Sequence, residues 1–234
     1  MKIRLNKFIA NTGICSRREA DKYIEAGVIT VNNIPIKKLG SKINSTDIVK
    51  FNGEKITSDI SRYILLNKPK NYSLKDGTPK HRSVSALIKN ACKEVVFPIN
   101  KLNNLETGLL LFTNDRELIK KLNNPVKKIK TIYHITLDKV LDEVDLTRLL
   151  KGVILNGKKR SLDLISYVTN KKKNEIGVEN SRGDIRLIKQ LFEKSGYRII
   201  KLDRVFFAGL TKKDLPKKHY RHLSEKEITI LKRI

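Results

Sequence analysis

Tryptophan is absent from this 234-residue chain, methionine occurs once and cysteine twice. Cys15 and Cys92 lie far apart and lack the paired spacing of a zinc site, so two reduced thiols in a cytoplasmic protein are expected. Seven Tyr and seven Phe give little material for an open surface that stacks single-stranded bases. No apolar run approaches the roughly 18 residues of a membrane span, and MKIRLNKFIANTGI is broken by charge too often for a secretory leader. The four histidines include one close pair, His219 and His222, with no carboxylate or Cys cluster beside it; that pair reads as part of a basic surface. Glycine-rich nucleotide-binding loops are missing as well. No metal and no cofactor is implied. The shortage with most consequence is of acid: 24 Asp and Glu against 50 Lys and Arg leave a net charge of +26 and a pI near 10.1. A field of that sign suits a polyanion, and structured RNA gripped through its phosphates fits better than a single strand. A biased genome also inflates Lys and Asn, so charge alone does not choose.

What is present falls into two parts. Residues 1–56 read as a small unit. RLNKFIANTG sets Leu5, Phe8 and Ile9 at helical spacing, with Gly13 able to end the helix. In CSRREADKYIEAG, Ser16 and Glu19 have the spacing of a capping box, Ala20, Tyr23 and Ile24 form the apolar stripe, and Gly27 is a stop. VITVNNIPI and DIVKFNGEKI read as hairpins, the second turning at Asn52-Gly53. Arg4 and Lys7 are expected on the first helix, and Arg17, Arg18 and Lys22 on the second. A solvated face is the competing reading of such cations.

TSDISR, residues 57–62, reads as a linker, and 63–234 as a second domain. Strands outnumber helices there without alternating with them. The chain is therefore expected to be α+β, a small helical and β domain followed by a mixed, mainly antiparallel sheet. KKK at 171–173 reads as a loop tip.

RLNKFIA, SRREADKYIEAG and ITVNN closely resemble the small RNA-binding domain first seen in ribosomal protein S-four. That resemblance implies RNA binding by Arg4, Lys7, Arg17, Arg18 and Lys22. YILLNKPK (63–70), FPINKLNNLETGLLLFTND (97–115), KTIYHITLDK (130–139) and SRGDIRLIKQLFEKSGYRIIKLDRVFFAGL (181–210), in that order, resemble the pseudouridine synthases. The resemblance is to the branch that acts on ribosomal RNA and carries such an N-terminal domain (the RsuA/RluB branch). It implies a partner, structured ribosomal RNA or a pre-ribosomal particle, bound by a cytoplasmic monomer, with neither membrane nor DNA involved. A DNA-binding regulator would need a recognition helix that the sequence does not offer.

The family's catalytic loop reads Gly-Arg-Leu-Asp, four variable residues, then Gly and leucines. With Gly108 fixing the register, it falls on Asn100, Lys101, Leu102 and Asn103. The resemblance thus puts Asn103 in the place of the catalytic aspartate and Lys101 among the RNA-facing cations. It also implies site roles for Tyr133 and for Leu202 in the late Leu-x-Arg segment with Arg204. Counted from Gly183, the basic partner of the carboxylate is Lys189, and Leu187 takes a glutamine's place. Core packing is the competing reading of Tyr133 and Leu202, and a turn before a strand that of Asn103. Pseudouridine formation breaks a glycosidic C–N bond, turns the base and rejoins it through carbon. In the family an ionised carboxylate starts this by attacking the sugar or taking a sugar proton, and a neutral amide can do neither. Glu106 falls in the variable part of the loop and Asp115 at the start of the next helix, so neither is expected to substitute. Two readings remain: an RNA uridine isomerase, weak or inactive because of Asn103, and an RNA-binding or ribosome-assembly protein without turnover.

Overall fold

The computed structural model describes residues 2–12, 14–44, 46–56, 61–74, 82–124 and 126–234. Gly13, His81 and most of the expected linker lie outside them. The chain divides into two compact units, Met1–Ser61 and Arg62–Ile234.

In the first unit the helices Leu5–Asn11 and Arg17–Glu25 bury Leu5, Ile9, Ala20 and Ile24 against Ile29 and Val49 of a small sheet. Phe8 and Tyr23, expected in the stripe, are half-buried at its edge. The Ser16 hydroxyl accepts from the Glu19 amide at 3.3 Å, and the Ser16 amide donates to the Glu19 carboxylate at 2.7 Å, closing the capping box. Asn6 donates to Asp21 at 2.9 Å and so ties the two helices together. The strands Ile34–Pro35, Ile29–Val31, Val49–Phe51 and Glu54–Ile56 form an antiparallel sheet in that order. Asn52 and Gly53 both have positive φ, 49° and 85°, the conformation a two-residue hairpin needs. Arg4 departs from the expectation. It ends the short strand Lys2–Arg4 and stands just before the helix, because its extended φ/ψ belongs to the strand pairing with Lys42–Asn44.

The second unit is built on a sheet with nine strands among the described residues. Along its main path run Leu164–Tyr167, Glu175–Glu179, Thr131–Leu137, Ile199–Phe207, Thr107–Thr113, Tyr63–Lys68 and Tyr220–His222. Every pairing in this sheet is antiparallel except that of Thr107–Thr113 with Ile199–Phe207. Both faces of the central strands are covered: Leu110 and Phe112 enter one core with Ile64 and Leu66, while Leu109 and Leu111 enter another with Tyr63 and Leu65. Two buried faces explain why YILL and GLLLF are unbroken apolar runs instead of alternating ones. The helix Ile185–Lys194 packs Ile188, Leu191 and Phe192 into the first core, and Glu225–Arg233 packs Leu231 into the second. Asp115 caps the helix Arg116–Leu122 by accepting from the Leu118 amide at 3.0 Å, which accounts for its carboxylate. Lys171, Lys172 and Lys173 are exposed in the loop between two strands. Among the described residues no helix is long and apolar enough to cross a membrane.

Candidate active site and nucleic-acid interface

The parallel junction sets the site. Thr107 pairs with Asp203 and Gly108 with Arg204. Gly108 has φ +100°, and a Cβ there would strike the Arg204 backbone, so glycine alone lets the strands approach. The loop that feeds this strand, residues 100–106, lies over the junction and is held by two fully buried cations. The Lys68 ammonium donates to the carbonyls of Asn103 at 2.7 Å and Glu106 at 2.8 Å. Arg204 donates through Nε to the Leu109 carbonyl at 2.7 Å, and through Nη1 to the Asn100 carbonyl at 2.8 Å and the Asn100 Oδ1 at 3.0 Å. Asn100 sits at φ 47°, a left-handed conformation that asparagine tolerates.

Glu106 points inward from this loop and is the one buried carboxylate among the described residues. Its Oε2 accepts from the Asn103 amide at 2.7 Å. Its Oε1 accepts from Lys189 Nζ at 2.7 Å and from Asn103 Nδ2 at 3.3 Å. Asn103 itself is exposed at the loop surface. Burial pushes the Lys68 ammonium down to about 8; the Glu106 charge opposes that shift and the Arg204 charge adds to it. Tyr133 is fully buried opposite Arg204 on the neighbouring strand. Its phenol is raised by burial, against the pull of the Arg204 guanidinium.

The similarity to known proteins falls in two segments. Residues 62–204, more than half of the chain, match the family model for RNA pseudouridylate synthase, and residues 3–49 match that for the S4 domain. The chain belongs to the RNA pseudouridylate synthase family. An uncharacterized RNA pseudouridine synthase of Aquifex aeolicus is 32% identical, over 99% of this chain and 94% of its own. The ribosomal large subunit pseudouridine synthase B of Bacillus subtilis is 30% identical, over 98% of this chain and 95% of its own. A crystal structure of a pseudouridylate synthase matches with a TM-score of 0.65 at 23% identity, covering 98% of this chain and 99% of that one, which shows the fold.

In this synthase-family fold, Asn103 and Lys189 are brought together through Glu106 and not by direct contact. Tyr133 and Leu202 share one core with Leu102, and Leu202 is 4% exposed. Lys101 is exposed beside Asn103. Leu187 is half-buried on the Ile185–Lys194 helix, whose N-terminus Asp184 caps. In the S4 domain Arg4, Arg17, Arg18 and Lys22 are exposed and Lys7 is half-buried. Arg17 and Arg18 open the first turn of their helix, and Lys22 stands in its last turn. Sequence reasoning undervalues Glu106 and passes over Lys68. A signal for Glu106 exists: Asn103 and Glu106 have the same i, i+3 spacing that identifies the Ser16–Glu19 box.

Proposed function

We propose that this member of the pseudouridylate synthase family binds structured ribosomal RNA, or a pre-ribosomal particle, without isomerising uridine at the Asn103 site. The observation that carries the reading is the amide at position 103, exposed at the loop surface with its NH groups turned to Glu106. Isomerisation needs an anion able to attack the sugar or take its proton, and an amide is neutral and barely basic. Glu106 does not supply one as it stands, because both of its oxygens are engaged and its side chain is 2% exposed. RNA binding is supported by the S4 domain, by the +26 charge and by the exposed Arg4, Arg17, Arg18 and Lys22. Lys7 and Lys101 add to the same field.

The test of binding is the salt dependence of affinity for ribosomal RNA. With roughly 5 phosphate contacts, affinity falls by about two to three decades between about 50 and 200 mM salt. Charge reversal at Arg17 and Arg18 weakens binding to many RNA sequences alike. A binding constant indifferent to salt, or to that double change, removes the role given to the S4 domain.

A further inference from the structure

We propose that Glu106 is the anion of this site, a buried carboxylate that holds Asn103 and Lys189 in place, so that a carboxylate introduced at position 103 must compete with it. The inference rests on the reading of Asn103 above and deepens it.

Three cations surround the loop base: Lys68 and Arg204, both fully buried, and Lys189, whose side chain is 43% exposed. Buried cations need an anion close by, since their desolvation is costly without one. The nearby carboxylates are committed elsewhere. Asp203 pairs with Lys212 and accepts from Thr107, and Asp184 caps its helix. Glu106 is left, and its contacts divide the work: Oε1 takes the Lys189 ammonium and Oε2 takes the Asn103 amide. The field of the same carboxylate also acts on Lys68 and Arg204. One negative charge thus stands among these three cations with no carboxylate at 103, and it sits three residues further along the chain, on the closed side of the loop.

This arrangement changes what Asn103→Asp does. Asn103 Nδ2 lies 3.3 Å from Glu106 Oε1 as a donor facing an acceptor. Aspartate places an anionic oxygen where that donor is, with Lys189 already bound to Glu106 at 2.7 Å. Two carboxylates at about 3 Å cannot both ionise freely, so the pair retains a proton that an isolated carboxylate would lose. Adding Glu106→Gln removes the rival charge, releases Lys189 to the introduced carboxylate and leaves an amide able to donate to it.

The experiment is a carbon-13 carboxyl titration of the full chain carrying Asn103→Asp, alone and with Glu106→Gln. The single variant leaves Glu106 untouched, so its titration does not depend on the loop tolerating a change there. The expected result for it is two coupled steps separated by on the order of 2 units, the upper one above the usual carboxylate range near about 4. In the double variant the introduced carboxyl titrates below that range. Two independent, ordinary carboxyls in the single variant would overturn the proposal. So would equal pseudouridine formation by the single and double variants, where the proposal expects the double to exceed the single by on the order of tenfold or more. Pseudouridine made by the unaltered protein would instead remove the reading of Asn103 and leave the titration result standing.

Discussion

Replacing Lys68 by methionine should cost more stability at high pH than at neutral pH, the reverse of what losing a charge partner would give. The ammonium is fully buried, and burial lowers it from 10.5 to about 8. Below about pH 8 the side chain is charged in both folded and unfolded chains, and the folded one carries the whole burial cost. Between about 8 and 10.5 the folded lysine has lost its proton while the unfolded one keeps it. The cost therefore disappears over that window, and stability rises with pH. A depression of about 2.5 units corresponds to about 3 kcal/mol at most. Against it stand the hydrogen bonds to Asn103 O and Glu106 O at 2.7 and 2.8 Å, worth about 1.5–3 kcal/mol each to a charged donor. At pH 7 the two effects partly cancel, and Lys68→Met costs about 0–3 kcal/mol. Near pH 10.5 the neutral amine still donates to both carbonyls without the burial cost, so the penalty grows by up to about 3 kcal/mol. Urea unfolding of both proteins, followed by circular dichroism across this range, measures the difference while common titrations cancel. A penalty that stays flat or falls as pH rises from 7.5 to 10.5 would refute the account of Lys68.

Three further outcomes follow from the same structure. Gly108→Ala forces a Cβ into the Arg204 backbone at positive φ and should destabilise the second unit by about 2–4 kcal/mol, seen as a lower unfolding midpoint. Arg221 grips Glu227 through two bonds of 2.7 and 2.8 Å and holds its carboxyl down at about 2 against burial. The stability this gives is present above the ordinary carboxylate range and is lost as pH falls toward 2, so Glu227→Gln should cost about 1–2 kcal/mol at pH 6 and almost nothing at pH 2. A fragment of residues 62–234 should fold alone with the unfolding midpoint of its counterpart in the full chain, since each unit has its own core; a fragment that stays unfolded would contradict this.

Features carried by neighbouring residues are legible in the amino-acid sequence. Ser16 with Glu19, Asn52 with Gly53 and the stripe Ala20, Tyr23, Ile24 each specify local geometry through a few adjacent side chains. The apolar runs GLLLF and YILL mark strands buried on both faces, and Gly108 fixes the register of the loop that precedes it. What escapes such reading depends on residues distant in sequence. Lys68 lies 35 residues before the Asn103 carbonyl it binds, and Lys189 lies 83 after the Glu106 carboxylate. Nothing local distinguishes a buried lysine in LNKPK from an exposed one. The apolar spacing of RLNKFIA extends a helix back to Arg4, whereas pairing with Lys42–Asn44 draws that residue into a strand.

The central claim is that an amide stands where isomerisation needs an anion. Its most direct test is to incubate the purified, unaltered protein with unmodified ribosomal RNA and map pseudouridine nucleotide by nucleotide, with Asn103 confirmed as asparagine by mass spectrometry. The account predicts RNA that is bound and carries no new pseudouridine above the level without protein. Robust, site-specific conversion by protein whose Asn103 is intact would contradict it.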